Sequence, residues 1–410
     1  MSWSFGNSAL SVWKHGEFAR FTIGRFFATI GWQMMGVAVG WRVYELTHDA
    51  LALGLVGLSQ FLPFVSLVMV GGYVADHAER RSVLICAYLV EAVFIGVLVW
   101  LTAIGNRATW PIYMTVAALG ATRAFWAPAS QAILPRLVPL EQVPQAIAAN
   151  SIMFQVAVIS GPALGGLLFL LGAQLVFGLC AVLFLVTALL LLGVRRIPVT
   201  TVTDASQPGV RRRFLEGLRF VFSNRILLGC TSLDLFAVLF GGATALLPIF
   251  ADQLLQVGPA GLGLLRTAPG VGATLMAAVL AFRPVQRHAG LWLLGGVGVF
   301  GCATVVFGLS RSLPLSLAVL TVLGAGDMLS VYVRNIVVQM QTPDAIRGRV
   351  SAVSAMFIGA SNELGEFESG FTARLLGVVP AVVFGGCATV AVVLAWSRLF
   401  PGLRRLDQLR

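Results

Sequence analysis

Charge is what this sequence has least of. Only 11% of its 410 residues are Asp, Glu, Lys or Arg, against about 25% in a typical soluble protein. Apolar residues make up 58%, more than one water-bounded core can bury, so the natural solvent for this chain is a bilayer. Cysteine is also scarce. Cys86, Cys180, Cys230, Cys302 and Cys387 all sit in apolar runs, none has C-x-x-C spacing, and their number is odd. That argues against a disulfide framework or a metal site; they read as small buried hydrophobes, and no cofactor or metal is expected. None of the four histidines, His15, His48, His77 and His288, lies inside an apolar run. This counts against a membrane-embedded hydrolase, which would need a nucleophile–base pair or a metal cluster. No G-x-x-x-x-G-K-S/T loop is present, which disfavours a nucleotide-driven pump. The first twenty residues lack a short apolar core with a small-residue cleavage site, so the first span itself is expected to act as the insertion signal.

What the chain has in abundance is long apolar runs. Twelve stretches of the length a membrane crossing requires recur with short polar breaks. The first six are 18–45, 51–75, 82–104, 109–130, 145–171 and 173–194. The second six are 224–250, 260–282, 290–310, 313–338, 348–372 and 378–399. Of the 28 Lys and Arg residues, twenty fall at the termini or in loops after even-numbered spans, and four on the opposite side. The remaining four, Arg25, Arg123, Arg266 and Arg334, lie within spans. This asymmetry places both termini in the cytoplasm. It also explains the net charge of +11 without nucleic acid as a partner. The longest polar stretch, "RRIPVTTVTDASQPGVRRRFLEGLRFVFSN", splits the chain near its middle. It predicts an N-terminal six-helix bundle over 1–194, a cytoplasmic linker over 195–223, and a C-terminal six-helix bundle over 224–410. Within the linker, "FLEGLRFVF" is amphipathic and suited to the membrane surface.

The halves share a faint repeat. "GLSQFLPFV" from Gly57 and "GLLRTAPGV" from Gly263 align Gly57 with Gly263, Leu58 with Leu264 and Pro63 with Pro269, in corresponding second spans. Transporters are commonly built from such repeats, with the substrate held between them near the midplane.

The loop after the second span reads "GGYVADHAERR". It resembles the signature loop of the major facilitator superfamily, G-x-x-x-D-R-x-G-R-R/K. Gly72, Asp76, Arg80 and Arg81 match; His77 and Glu79 replace the usual Arg and Gly. The small residue lets two helices meet closely. The carboxylate at a helix end can pair with a neighbouring helix N-terminus or an Arg and latch one conformation. The fifth span carries "ISGPALGGLL", in which Gly161, Pro162, Gly165 and Gly166 resemble the end of the antiporter motif of exporters in that superfamily; its upstream glycines fall on Ala148 and Ala157. The stretches "AFWAPASQAILPRLVP", "LDLFAVLFGGATALLPIFA" and "QMQTPDAIRGRVSAVSAMFIGASNELGEFESG" are similar to the enterobactin-exporter and macrolide-efflux branch. The resemblance implies the major facilitator fold, an all-α integral membrane protein of twelve helices in two six-helix bundles, working as a secondary transporter and not an enzyme.

Ionisable groups inside spans are the candidate site. Each costs about 2.5–3.5 kcal/mol by insertion scales, and persists where it pairs, lines water or carries ions. The acids are Asp234, Asp327, Glu363, Glu366 and Glu91, with Glu368 beside them; the bases are Arg123, Arg334 and Arg266. Glu363 lies roughly 21 Å into the eleventh span, at ~1.5 Å per residue from Arg349. Glu363 and Glu366 share a helix face, expected to border the cavity, with Arg123 and Arg334 as candidate partners. Glu368 is turned about 140° away from Glu363, toward a neighbouring helix. With no histidine inside a span, carboxylates would have to carry any coupled protons; Asp234, Asp327 and Glu363 rank first by depth, then Glu366. The expectation is proton-coupled export of a small organic molecule, siderophore-like or drug-like, by a monomer in the bacterial inner membrane. The alternatives are a lysophospholipid or lipid-like flippase, or an importer of the same fold.

Overall fold

The computed structural model describes residues 11–196, 210–343 and 346–407, and every regular element among them is helical. Six long helices fill the first half: α1 (Gly16–Thr47), α2 (Ala50–His77), α3 (Arg80–Ala103), α4 (Trp110–Ile133), α5 (Val143–Phe169) and α6 (Ala173–Leu192). A shorter helix, α7 (Val210–Ser223), precedes six more. These are α8 (Arg225–Phe240), α9 (Gly258–Phe282), α10 (Ala289–Leu309), α11 (Leu313–Gln341), α12 (Arg347–Leu376) and α13 (Val378–Leu399). Each of the twelve spans read from hydropathy coincides with one long helix. Nine spans among the described residues are apolar enough to cross a membrane by length and composition alone. The other three fall on α1, α4 and α12, which carry Arg25, Arg123 and the Glu363–Glu368 cluster respectively.

The seventh long helix, α8, differs from expectation. The hydropathy is continuous over 224–250, but α8 stops at Phe240. The chain resumes as a 3-10 turn (Ala243–Leu246), one α turn (Leu247–Ile249) and a π turn (Phe250–Leu254). The break lies at Gly241 and Gly242. A Cβ on Gly242 would stand 2.5 Å from the carbonyl oxygen of Gly365 on α12, so two backbones meet there with no side chain between them. The start of α8 is firmer: Asn224 Oδ1 accepts from the amides of Ile226 (3.0 Å) and Leu227 (3.2 Å), satisfying two donors that a helix start leaves open.

Two compact units form: residues 1–42 with 62–207, and residues 43–61 with 208–410. In the first, α3 packs against α4 and α6, and α1 lies on α5 through Gly161 and Gly165. In the second, α11 packs on α9 and α10, α10 on α13, and α8 on α12 and α13. The second unit also takes in the hairpin of residues 43–61. A Cβ on Gly54 would lie 3.2 Å from the Cα of Gly370, and Tyr44 Oη donates to Asp252 Oδ2 at 2.8 Å. The repeat shows in the turns. Gly172 (φ 111°), between α5 and α6, and Gly377 (φ 90°), between α12 and α13, hold corresponding left-handed positions, where a Cβ would be strained. Leu189, Phe282, Leu375 and Leu399 are exposed, apolar surface of the kind a membrane helix carries.

Residues 197–209 of the expected linker lie outside the described residues. The amphipathic segment is part of α7. Val221 is buried with Leu227, Val338, Val350 and Val353, while Leu215 and Phe222 stay exposed. Glu216 pairs with Arg349 at 2.6 Å. One face of α7 therefore docks on α12, and the other faces outward.

Candidate functional site

In the second unit, Asp234 on α8 and Arg334 on α11 form an ion pair whose side chains are 10% and 3% exposed. Asp327 lies seven residues before Arg334 on α11, two turns away on the same face, within electrostatic reach of both. One guanidinium balances one carboxylate, so the trio holds a surplus acid. Arg334 Nε has no hydrogen-bond partner among the described residues.

The three glutamates of α12 separate. Gly365 faces α8 and Gly370 faces Gly54 on α2, and this fixes the rotation of the helix. Glu363 is buried, at 7% exposure. Glu366 lies over α2: a Cβ on Gly57 would stand 2.7 Å from Glu366 Oε2. Arg266 of α9 is close enough for its charge to act on Glu366, and Arg334 pairs with Asp234. Glu368 is half-buried and accepts from Thr372 Oγ1 at 2.8 Å.

In the first unit, Glu91 on α3 is fully buried. Its Oε1 accepts from Thr122 Oγ1 at 3.0 Å and from Trp126 Nε1 at 2.7 Å; its Oε2 has no partner among the described residues. Arg123 is close enough for its charge to act on Glu91. Trp126 forms one wall of a cavity of about 260 Å³. Five helices converge on it. From α1 come Arg25, Thr29, Trp32 and Gln33, one face at helical spacing. Trp32, Trp126, Tyr88 and Phe184 form a chain of ring contacts with centroids 6.0–6.2 Å apart, within the favourable range. Arg25 lies over the Phe154 ring at 5.7 Å, and Arg123 over Trp32 at 5.8 Å and Phe64 at 5.0 Å. Arg25, Trp32, Tyr88, Trp126 and Phe154 were not singled out from sequence. Aromatics in an apolar run look like lipid-facing residues, and only the spacing of Arg25, Thr29 and Trp32 marked a polar face.

The signature loop places its residues unevenly. The close approach to α4 belongs to Gly71, which meets the Ala124 carbonyl; a Cβ on Gly72 would meet nothing within 4 Å. Arg80 Nε donates to the Ala75 carbonyl at 3.2 Å. Arg81 donates to the Leu191 (2.9 Å) and Leu192 (2.8 Å) carbonyls, and Arg20 to that of Gly193 at 2.6 Å. Two arginines thus cap the C-terminus of α6, where carbonyls lack intrahelical partners and the dipole is negative. The side chain of Asp76 lies outside the described ones. In the antiporter-like motif, a Cβ on Gly161 would stand 2.5 Å from Gln33 Cβ, and one on Gly165 2.9 Å from Met34 Cα. Pro162 and Gly166 are buried within α5. Among the described residues no group of three or more His, Cys, Asp or Glu could hold a metal.

Twelve long helices, buried opposite charges inside them and a polar, aromatic-lined cavity define a multi-pass secondary transporter of the major facilitator type. Residues 7–408 match the family described as transmembrane secretion effector, and the chain belongs to that family. It is 28% identical to the enterobactin exporter EntS of Escherichia coli O1:K1 / APEC, over 99% of this chain and 97% of that one. A point mutant of the nucleoside transporter NupG shares its fold with a TM-score of 0.75 at 14% identity, covering 93% of this chain and 99% of that chain. A bacterial homolog of the human lysosomal transporter Spinster, in an inward-facing and unoccupied conformation, does so with a TM-score of 0.70 at 14% identity, covering 98% and 97%.

Proposed function

We propose that this chain exports a small organic molecule, siderophore-like or drug-like, across the bacterial inner membrane in exchange for protons, as a monomer with both termini in the cytoplasm. The observation that carries the coupling is the trio Asp234–Arg334–Asp327, a buried pair with a second acid on the same face. Ionisable groups inside membrane helices mark ion and proton paths. Asp327 takes up and releases the proton, and Arg334 holds Asp234 in place through their ion pair. Glu366 with Arg266 is a second charged pair in the second unit, and Glu91 with Arg123 a third in the first. The full-length similarity to an enterobactin exporter supports export as the direction and a small organic molecule as the cargo.

The test is flux in proteoliposomes with an imposed pH gradient and enterobactin as first probe, with internal pH followed by a trapped dye. Substrate movement should be accompanied by counter-movement of protons. Asp327→Asn should abolish gradient-driven flux and leave substrate exchange intact. Full proton-driven flux in Asp327→Asn and Asp234→Asn would remove this trio from coupling. Movement of substrate and protons in the same direction would make the protein an importer.

A further inference from the structure

We propose that the cavity of the first unit binds a planar aromatic group bearing a negative charge, the recognised part of the transported molecule. The ring lies among Trp32, Trp126 and Phe154, and the anionic group between Arg25 and Arg123. The proposal rests on the reading that the chain moves a small organic molecule, and it names the class of that molecule.

Size sets the first limit. At about 260 Å³ the cavity is smaller than the ~300–1,000 Å³ of sites that enclose a drug-sized ligand. It takes one ring system and not a macrocycle. Wall chemistry sets the second. Trp32 and Trp126 meet edge to face, and Tyr88 stacks on both Trp126 and Phe184. Such walls offer ring faces and edges to a flat guest.

Charge sets the third limit. Two guanidiniums line the cavity and no acid does. Glu91 does not line it, and its Oε1 already accepts from Trp126 and Thr122. It offsets part of the Arg123 charge. Arg25 has no carboxylate partner among the described residues; its neighbour is the Phe154 ring. A guanidinium in a membrane helix usually faces a partner or water. An organic anion supplies that partner here, and a fork of N–H donors matches a carboxylate or sulfonate in two contacts. A cationic guest would meet two like charges. Both guanidiniums also lie over rings, Arg25 over Phe154 and Arg123 over Trp32 and Phe64.

The experiment uses the purified full-length protein and titration calorimetry with four probes: 1-naphthoate, 1-naphthylmethanol, 1-naphthylmethylamine and cyclohexanecarboxylate. Naphthoate should bind at least about 10-fold more tightly than the other three. Arg25→Gln and Arg123→Gln should each weaken naphthoate by about 10- to 100-fold, the range for a hydrogen bond to a charged group, and leave naphthylmethanol unchanged. Arg25→Lys and Arg123→Lys, which keep the charge, guard against loss of folding and should retain part of the anion preference. Equal binding of alcohol or amine, or unchanged naphthoate binding in both Gln variants, would overturn the assignment. Binding is read apart from transport. A protein with this probe order but no proton-driven flux keeps the site and loses the exporter reading; one that exports enterobactin without anion preference keeps the reading and loses the site.

Discussion

Arg334→Met tests the energetic argument most directly. Arg334 and Asp234 are 3% and 10% exposed and make a direct ion pair. Replacing Arg334 leaves the Asp234 carboxylate inside the bundle without its counter-charge. Breaking such a pair from one side costs about 3–5 kcal/mol, a drop of roughly two to four orders of magnitude in the folded-to-unfolded ratio at ~1.4 kcal/mol per decade. Asp234→Leu combined with Arg334→Met removes both charges and fills the space with apolar atoms. Buried pairs exchanged in this way are often neutral or up to about 4 kcal/mol more stable. The double variant should therefore recover most of the single variant's loss. Reversible unfolding in mixed micelles, followed by far-UV circular dichroism, gives the four corners of the cycle. The double variant should fold yet show no gradient-driven flux. If Arg334→Met lay within about 0.5 kcal/mol of the wild type, or the single losses simply added, the two groups would be independently hydrated. The coupling trio would then have no structural basis.

Three further outcomes follow from individual contacts. Glu91→Gln keeps an oxygen for Thr122 and Trp126 and should unfold near the wild-type midpoint; Glu91→Leu, which strands the Trp126 N–H, should lose about 1–3 kcal/mol in the same micelle assay. Arg81→Ala removes two bonds to the end of α6 and should lower stability by about 1–2 kcal/mol, discounted for partial exposure; Arg81→Lys should recover only part, because an ammonium lacks the fork. Gly54→Leu should push α2 off α12, so that Glu366→Cys, in a cysteine-free background, reacts faster with a water-soluble thiol reagent. Unchanged labelling would mean that the backbone contact does not shield that position.

Apolar runs in the sequence marked a span at each of the twelve long helices among the described residues, although α1, α4 and α12 are too polar to qualify by length and composition alone. They could not reveal the break at Gly241 and Gly242, where hydropathy stays high and the cause is the approach of Gly365 from another helix. For the site, composition marked Asp234, Asp327 and Arg334 individually, since charge inside a span is costly wherever it falls. Their grouping was hidden: Asp234 and Arg334 are a hundred residues apart, and only packing joins them. Arg334, one of two candidate partners for the α12 glutamates, pairs with Asp234, and Arg266 is within electrostatic reach of Glu366. The aromatic cavity was least visible, because a tryptophan facing lipid and one facing a ligand occupy the same kind of sequence.

The unit boundaries at Arg42–Val43 and Phe61–Leu62 fall inside helices, not in loops. α1 and α2 each begin in one unit and end in the other. Displacement of one unit against the other cannot be absorbed by a slack connection there; it has to flex two continuous rods in mid-span. In α2 that point is already weakened. Pro63, one residue past Leu62, lacks the N–H that would bond to the Ser59 carbonyl. Pro63→Ala restores that backbone bond and should change turnover without altering any side chain that lines the first-unit cavity.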